Sequence, residues 1–432
     1  AVLSDDGKAY LLTGQKMWIS NAGFADVFIV FAKIDGEHFT GFIVDADTEG
    51  IRLGEEEHKM GIKGSSTRQV FFENARVPAE NLLGEKGKGH LIAFNALNNG
   101  RFKLGVMALG GMKECVDTGV RYANEREQFG KPISSFGAIR HKIARQVMLS
   151  YVLESAVYRV SGMMQEWKAR LLEEGESYGQ AQLLSAKEYA VECAMIKVLG
   201  SEYVDYNVDE LVQIHGGYGF SEEYPAARAY RDARINRIYE GTNEINRLLM
   251  VSQILKRAFK GEIDLVGPAW EVQKELLQLP SRDQPEGLLG YEEKAVRDFK
   301  KVLLMVAGAA AKYQMDGKHD LREEQQIVML IADIAMDVFI AESTLLRIAK
   351  LQAGGAIMEK DVRLQILKLF LHEAQQRITN SAQDALASFA TGDELSIMLK
   401  GVRRFTKYPL VNVKEMRNAV AQVTIDQNAY PL

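Results

Sequence analysis

Ile238-Tyr239-Glu240-Gly241-Thr242-Asn243-Glu244-Ile245-Asn246-Arg247 marks the start of a helix and holds a carboxylate just outside it. Gly241 breaks the chain, and Thr242 is suited to be the N-cap, its hydroxyl satisfying one of the orphan amides of the first turn. Glu244 then falls in that turn, where the helix dipole favours negative charge. Ile245, Leu248 and Leu249 follow the i, i+3, i+4 spacing of a buried face. A charged segment containing Arg231 and Asp232 comes before. Glu240 therefore lies on backbone that Gly241 allows to turn sharply, which suits a carboxylate held against a ligand.

Around this stretch the pattern is helical. Residues 91–126, 136–172, 178–215 and 243–260 read as long helices, most economically packed as an antiparallel four-helix bundle. Residues 1 to about 84 read differently. Short β-branched or aromatic runs at 10–13, 16–20, 27–32, 39–44 and 69–72 alternate with turn signals such as Asp5-Asp6-Gly7, Thr13-Gly14 and Asp35-Gly36. That spacing predicts an antiparallel sandwich or barrel, with residues 74–89 as its exit. Residues 263–290 collect Pro268, Pro280 and Pro285 and read as a linker. Two more long helices are expected beyond it. One carries the stripe Ile327, Leu330, Ile331, Ile334, Ala335, Val338, and the other spans about 361–388. The tail after Gly401 carries no clear pattern. The expected fold is α+β multidomain and mainly α. It comprises a partial β-domain (1–84), a helical bundle (85–262), a linker (263–290) and an additional helical domain (291–432).

Composition narrows the function. The chain has 432 residues, 26% charged and 47% hydrophobic, with a net charge of -5, which argues against nucleic acid as the main partner. Two cysteines, Cys115 and Cys193, are too few for a disulfide framework and point to a reducing compartment. Seven scattered histidines form no metal motif, so no metal is expected. The longest uncharged apolar run, 302–311, is about half of what a bilayer requires.

Four further stretches are candidates for chemistry. Lys16-Met17-Trp18-Ile19-Ser20 reads either as a strand with one buried tryptophan or as an indole laid on a flat cofactor, with Ser20 donating to it. In Asn98-Asn99-Gly100-Arg101, the helical glycine costs about 1 kcal/mol, which suggests a close approach there. Arg126-Glu127-Gln128-Phe129-Gly130 ends a helix, and its guanidinium is either solvated or suited to a pyrophosphate. Gln213-Ile214-His215-Gly216-Gly217 is glycine-rich without the strand or spacing of a dinucleotide fingerprint, and reads as a capped helix end. His215 reads as backbone-proximal filler, with nothing to suggest a proton shuttle. The run Glu55-Glu56-Glu57 reads as a solvated loop.

Tyr239-Glu240-Gly241-Thr242-Asn243-Glu244-Ile245, together with these stretches in this order, resembles the acyl-CoA dehydrogenase family, and its very-long-chain branch in particular. The resemblance covers nearly the whole chain. It implies FAD-dependent α,β-dehydrogenation of a long- or very-long-chain fatty acyl-CoA to the trans-2-enoyl-CoA, as in fatty acid β-oxidation. Glu240 is implied as the base that removes the α-proton, because the Asn98–Arg101 positions hold no acid. In this family the thioester oxygen is bound by the glutamate's own amide and a flavin hydroxyl. Trp18, Ile19 and Ser20 are implied flavin contacts, as are Gln213, Gly216, Gly217, Thr242 and Glu244. Arg126, Gln128 and Phe129 are implied to reach the flavin of a neighbouring subunit, which requires a homodimer. Asn98, Asn99, Arg101, Tyr239 and Gly241 are implied substrate contacts. Electron-transfer flavoprotein is the implied acceptor, and the setting is the bacterial cytoplasm or the mitochondrial matrix side.

Family members begin with an all-helical domain and a strand bearing Thr-Glu-Pro. Neither occurs here, and the chain reads as a C-terminal fragment. The segment around 265–279, with Trp270, corresponds to a membrane-touching region of very-long-chain members. At most weak peripheral contact is expected, since it carries few basic residues. Alternative readings are an acyl-CoA oxidase and a non-catalytic assembly factor of a respiratory complex from the same family.

Overall fold

A computed structural model describes residues 1–279 and 284–432. They fall into two compact units, 1–100 and 101–432, each described by itself below.

In the first unit β1 (Val2–Leu3), β2 (Ala9–Ser20), β6 (Thr67–Pro78) and β5 (Ile51–Leu53) form one sheet in the order β1-β2-β6-β5. A second sheet has the order β3 (Val27–Ile34), β4 (His38–Asp45), β7 (Leu82–Leu83). All pairs are antiparallel. Alternation drives the packing, with Phe28, Val30 and Ile34 on one face of β3 meeting Leu12, Val70 and Phe72 in a shared core. Sandwich packing is therefore the outcome of the two options.

The expected runs 10–13 and 16–20 are one strand, its register shifted at Gly14 and again between Lys16 and Ile19. β6 continues into the expected exit segment because Ala75 and Val77 still point into the core. Asp35 and Gly36 take left-handed φ values of 55° and 77° at the expected turn. Glu56 is not merely solvated, since it accepts hydrogen bonds from Ser66 Oγ (2.7 Å), Thr67 N (2.9 Å) and Arg68 Nε (2.7 Å).

Long helices follow, beginning with α1 (Gly89–Glu125). Its end turns through a small ribbon, β8 (Glu127–Gln128) with β9 (Lys131–Pro132), into α2 (Gly137–Glu173). The expected helix 178–215 is interrupted once, at Tyr189, giving α3 (Tyr178–Glu188) and α4 (Ala190–His215). Next come α5 (Gly217–Phe220), α6 (Pro225–Ala233) with proline in its first turn, and α7 (Asn243–Phe259).

The linker reading of 263–290 gives way to a helix, α8 (Val266–Leu276), with Val272 buried. Pro268 sits in its first turn, where proline removes no helical hydrogen bond. Pro280 lies outside the described residues. Beyond them run α9 (Gly290–Met315), α10 (Gln325–Ala353) and α11 (Val362–Ala387). The unassigned tail forms the end of α12 (Gly392–Phe405) and all of α13 (Val413–Gln427). One hydrophobic core runs from α2 and α4 through α9, α10 and α11, so residues 291–432 pack into the bundle's own core. Among the described residues no helix is long and apolar enough to cross a membrane, and no cluster of His, Cys, Asp and Glu has the makings of a metal site.

Two glycines let α1 and α4 touch backbone to backbone. A Cβ on Gly105 would lie 2.6 Å from the Ile196 carbonyl oxygen, and one on Gly200 would lie 2.9 Å from Gly105 Cα. Gly110, on the open side of α1, has nothing within 4 Å. Gly105→Ala should therefore destabilise by about 1–3 kcal/mol through overpacking. Gly110→Ala should stabilise by up to about 1 kcal/mol through helix propensity. Chemical denaturation of both variants checks the pair, and a stable Gly105→Ala would refute the close crossing.

Candidate functional site

α6 runs into a single 3-10 turn, Arg234–Arg237, and the chain must then reverse to start α7. It does so at Glu240 (φ 58°) and Gly241 (φ 82°), two successive left-handed residues. For glutamate this conformation costs on the order of 1–2 kcal/mol and needs support. Three buried donors provide it. Arg101 Nε donates to the Glu240 carbonyl at 3.1 Å, and Lys197 Nζ donates to the Gly241 carbonyl at 2.8 Å. Asn246 Nδ2 donates to the carbonyls of Gly241 (2.8 Å) and Thr242 (3.0 Å). Thr242 is the N-cap expected of it, its hydroxyl accepting from the Ile245 amide at 3.4 Å.

The Glu240 carboxyl is held half-buried, and its Oε2 is buried with no hydrogen-bond partner. Burial pushes its pKa above the ordinary carboxylate value, while the charges of Arg101 and Lys197 pull against that rise. Lys197 is itself fully buried. Its pKa is lowered to about 8, mainly by burial and then by Arg101, with Glu202, Glu244 and Glu240 opposing. A carboxyl with one dry, unpaired oxygen and a raised pKa has the properties of a general base. Beside it, Tyr239 is more than a third exposed, with its hydroxyl on Asn236 Oδ1 at 2.7 Å. Thr242 and Glu244 line a cleft of about 170 Å³ with Glu202, Arg234, Arg237, Ile238 and Asn243.

A second cleft, of about 610 Å³, opens where α1 and α4 end. Tyr122, Arg126, Gln128 and Ile133 form one wall, and His215, Gly216, Gly217, Tyr218 and Ser221 form the other. Gly216 caps α4 at φ 59°, ψ -135°, a conformation open only to glycine. Neither Gly216 nor Gly217 has any atom within 4 Å of a Cβ position, so their backbone is approachable. His215 stacks on Tyr122 with centroids 4.1 Å apart, and its Nδ1 bonds the Leu211 carbonyl at 2.8 Å. Burial lowers its pKa.

Arg126, Gln128, Gly216 and Gly217 are thus brought together, while two other expected contacts stand apart from the cleft wall. Gln213 is exposed, with its carbonyl capping Gly216. Phe129 is 92% exposed at the tip of the β8–β9 ribbon, where Phe129 and Gly130 take φ values of 55° and 77°. Two left-handed residues between paired strands suit a tight hairpin turn, yet asparagine is the usual first residue there.

The remaining expected contacts lie in the first unit. Trp18 is at φ 60° inside a register shift, and its indole is 61% exposed, which rules out the buried-core reading. Ile19 is half-buried and Ser20 exposed. On α1, Asn98 is buried and Asn99 half-buried.

The two units and the loop at Glu240 carry the marks of an enzyme, and comparisons with known proteins identify its class. Residues 1–75 match the middle domain of acyl-CoA dehydrogenase, and residues 87–255 and 298–404 match models of its C-terminal domain. A probable acyl-CoA dehydrogenase of Bacillus subtilis (strain 168) is 44% identical over 430 residues, 100% of this chain and 72% of that protein. The human mitochondrial very long-chain specific acyl-CoA dehydrogenase is 37% identical over 383 residues, 82% of this chain and 55% of that protein. The crystal structure of an acyl-CoA dehydrogenase complexed with FAD from Bacillus anthracis superposes with a TM-score of 0.97 at 44% identity, covering 100% of this chain and 73% of that one. The chain belongs to the acyl-CoA dehydrogenase family.

Sequence reasoning missed Lys197, Asn243 and Asn246. A signal was present for the first: Lys197 interrupts the apolar run Cys193-Ala194-Met195-Ile196 on a helix, and a buried lysine demands partners. Asn246 lies one turn from the cap, where its amide reaches back over the loop carbonyls.

The raised pKa of Glu240 has a stability consequence. Between the ordinary carboxylate pKa and the raised one, the folded chain binds the extra proton, so stability falls as pH rises through that window. Glu240→Gln removes the titration. The variant should gain stability relative to the parent as pH rises from the ordinary carboxylate value to neutrality, checked by denaturation across pH. A difference independent of pH would contradict a raised pKa.

Proposed function

We propose that this chain catalyses the FAD-dependent α,β-dehydrogenation of a long- or very-long-chain fatty acyl-CoA, with Glu240 as the base for the α-proton. The observation that carries this reading is the partnerless Oε2 of Glu240, held dry on a left-handed turn by Arg101, Lys197 and Asn246. A buried oxygen without a partner in the resting loop is free to accept a proton from a bound substrate.

The family's cofactor, FAD, fits the residues present. The approachable backbone of Gly216 and Gly217 and the guanidinium of Arg126 suit a pyrophosphate, with Gln128 beside them. In the first unit Trp18, Ile19 and Ser20 present exposed or half-exposed surface suited to an aromatic ring system, and in the second Phe129 presents an exposed ring. When bound, FAD supplies the hydride acceptor for the β-carbon. The work of this chain is to place the Glu240 carboxyl, keep it dehydrated until substrate arrives, and take the α-proton on Oε2. Asn98, Asn99, Arg101, Tyr239 and Gly241 are assigned to the acyl-CoA side, and Thr242 and Glu244 to the flavin side. The working assembly is a homodimer that passes electrons to electron-transfer flavoprotein.

The reach of the matches supports the longer acyl chains. The human very long-chain relative aligns over 82% of this chain. The short-chain specific enzyme of Megasphaera elsdenii, 39% identical, aligns over 59% of this chain and 63% of its own length.

Glu240→Gln should retain flavin absorbance but reduce bleaching by palmitoyl-CoA at least about 100-fold. In the parent, turnover should rise with pH through a pKa above the ordinary carboxylate value, as the base loses its proton. Appreciable turnover by Glu240→Gln, or a rate flat across that range, would overturn the assignment.

Phe129→Asn separates cofactor binding from folding. An Asn-Gly turn should leave the melting temperature equal or higher, because asparagine tolerates the left-handed conformation. Flavin retention after gel filtration should fall. A variant that keeps its flavin would remove Phe129 from the cofactor site.

A further inference from the structure

Asn243, the first residue of α7, is held by three residues. Lys197 Nζ donates to its Oδ1 at 2.7 Å, Ser201 Oγ lies within hydrogen-bond distance of both amide atoms (3.0 and 3.2 Å), and its Nδ2 donates to Glu202 Oε1 at 3.0 Å. Lys197 and Glu202 both belong to α4. Arg247 then takes hold of Glu202 with both Nη atoms, at 2.8 and 3.0 Å, which uses one edge of its planar fork. Its Nε points the other way and donates to Asp333 Oδ1 at 2.7 Å, on α10. Burial alone would disfavour the charge on Arg247, but Glu202 and Asp333 outweigh it and hold the guanidinium protonated.

A guanidinium fixed on one edge still has freedom to rock. Fixed on two edges it has one plane, and that plane sets where Glu202 presents Oε1 to Asn243. We propose that Asp333 is a positioning residue for Glu240. It orients Arg247, which through Glu202 and Asn243 holds the left-handed turn at Glu240–Gly241. The inference rests on the reading of Glu240 as the base. It assigns the C-terminal helices a part in catalysis, since α10 lies beyond the bundle helices that carry the loop.

The same helix carries an internal control. Asp337, one turn further along α10, is bonded by Arg377 of α11 through contacts of 2.6, 3.0 and 3.1 Å, a pair that leads away from the loop.

The test compares Asp333→Ala, Asp333→Asn and Asp337→Ala in the full chain, by hydrogen exchange of the loop amides and by steady-state kinetics with palmitoyl-CoA. In Asp333→Ala, loop exchange should quicken about tenfold as local opening becomes easier. Its kcat should fall about tenfold with KM changed less than twofold, as expected for a misplaced base. Asp333→Asn keeps an acceptor for Arg247 Nε and should restore most of both. Asp337→Ala should lower the melting temperature while leaving loop exchange and kcat per folded molecule unchanged. Unaltered loop exchange in Asp333→Ala, or equal quickening in Asp337→Ala, would overturn the proposal. An inactive parent whose loop exchange still responds to Asp333 alone would refute the proposed function and support the coupling.

Discussion

The Lys197 ammonium, drawn wholly out of solvent, is the interaction on which the site depends. A buried ammonium without partners carries a penalty of several kcal/mol, so it needs oxygen ligands fixed in place. The loop provides the Gly241 carbonyl and the Asn243 side chain. The loop in turn needs the ammonium, because two successive left-handed residues would otherwise relax toward ordinary backbone. Each makes the other tolerable. A compact ammonium with three donors can bridge a carbonyl and an amide oxygen at one point, whereas a planar fork suits the extended contacts that Arg247 makes.

The carboxyl of Glu240 is governed by opposed effects of unequal size. Burial raises its pKa and is the larger effect, while Arg101 and Lys197 draw it back. Arg101 and Lys197 do double duty, since each also bonds a main-chain carbonyl of the loop. The cations that fix the turn therefore limit how weak an acid the carboxyl becomes. The proposed role of Glu240 as a base at neutral pH needs that compromise. Full burial without the cations would leave it protonated, and close pairing with them would leave it too weak to take an α-proton.

Local signals and long-range ones differed in how well they could be read. The helix start at Thr242 was legible because a cap is written in adjacent residues. The long helices were legible from their helical apolar period, and the strands from short β-branched and aromatic runs bounded by turn signals. Residues 263–290 misled because prolines were counted without regard to position, and Pro268 falls where a helix accepts it. β6 ran past its expected end because what extends it is the core contact of Ala75 and Val77, made across the sheet. The partners that join Lys197, Glu202, Arg247 and Asp333 were beyond local reading for the same reason, although Lys197 itself stood out against its apolar neighbours. Lys197 and Asp333 are far apart in the chain and acquire a role only once α4, α7 and α10 are packed. Phe129 and Gly130 were noticed as a motif, but their hairpin geometry was not, because the paired strands are only two residues long.

Backbone strain falls on several of the motif residues to which the proposed function assigns roles. Among the described residues, the non-glycine positions with left-handed φ are Trp18, Asn21, Asp35, Ile62, Asn74, Phe129, Glu240 and Asn428. Four of these are asparagine or aspartate, which adopt the conformation readily because their short side chains bond the local backbone. Of the other four, Trp18, Phe129 and Glu240 each sit in a stretch whose chemistry was singled out from sequence, and only Ile62 does not. Folding alone gives no reason to place an indole, a phenyl ring and a carboxyl on disfavoured backbone. The two rings also stand in solvent, where burial returns little, and the carboxyl is held with an unpaired oxygen. Each breaks a local rule of stability, and a bound ligand would turn each to advantage by stacking on the rings and giving up a proton to the oxygen. The strain is thus coupled to the packed interior, since the turn at Glu240 persists because α1, α4, α7 and α10 each contribute a side chain to the network that holds it.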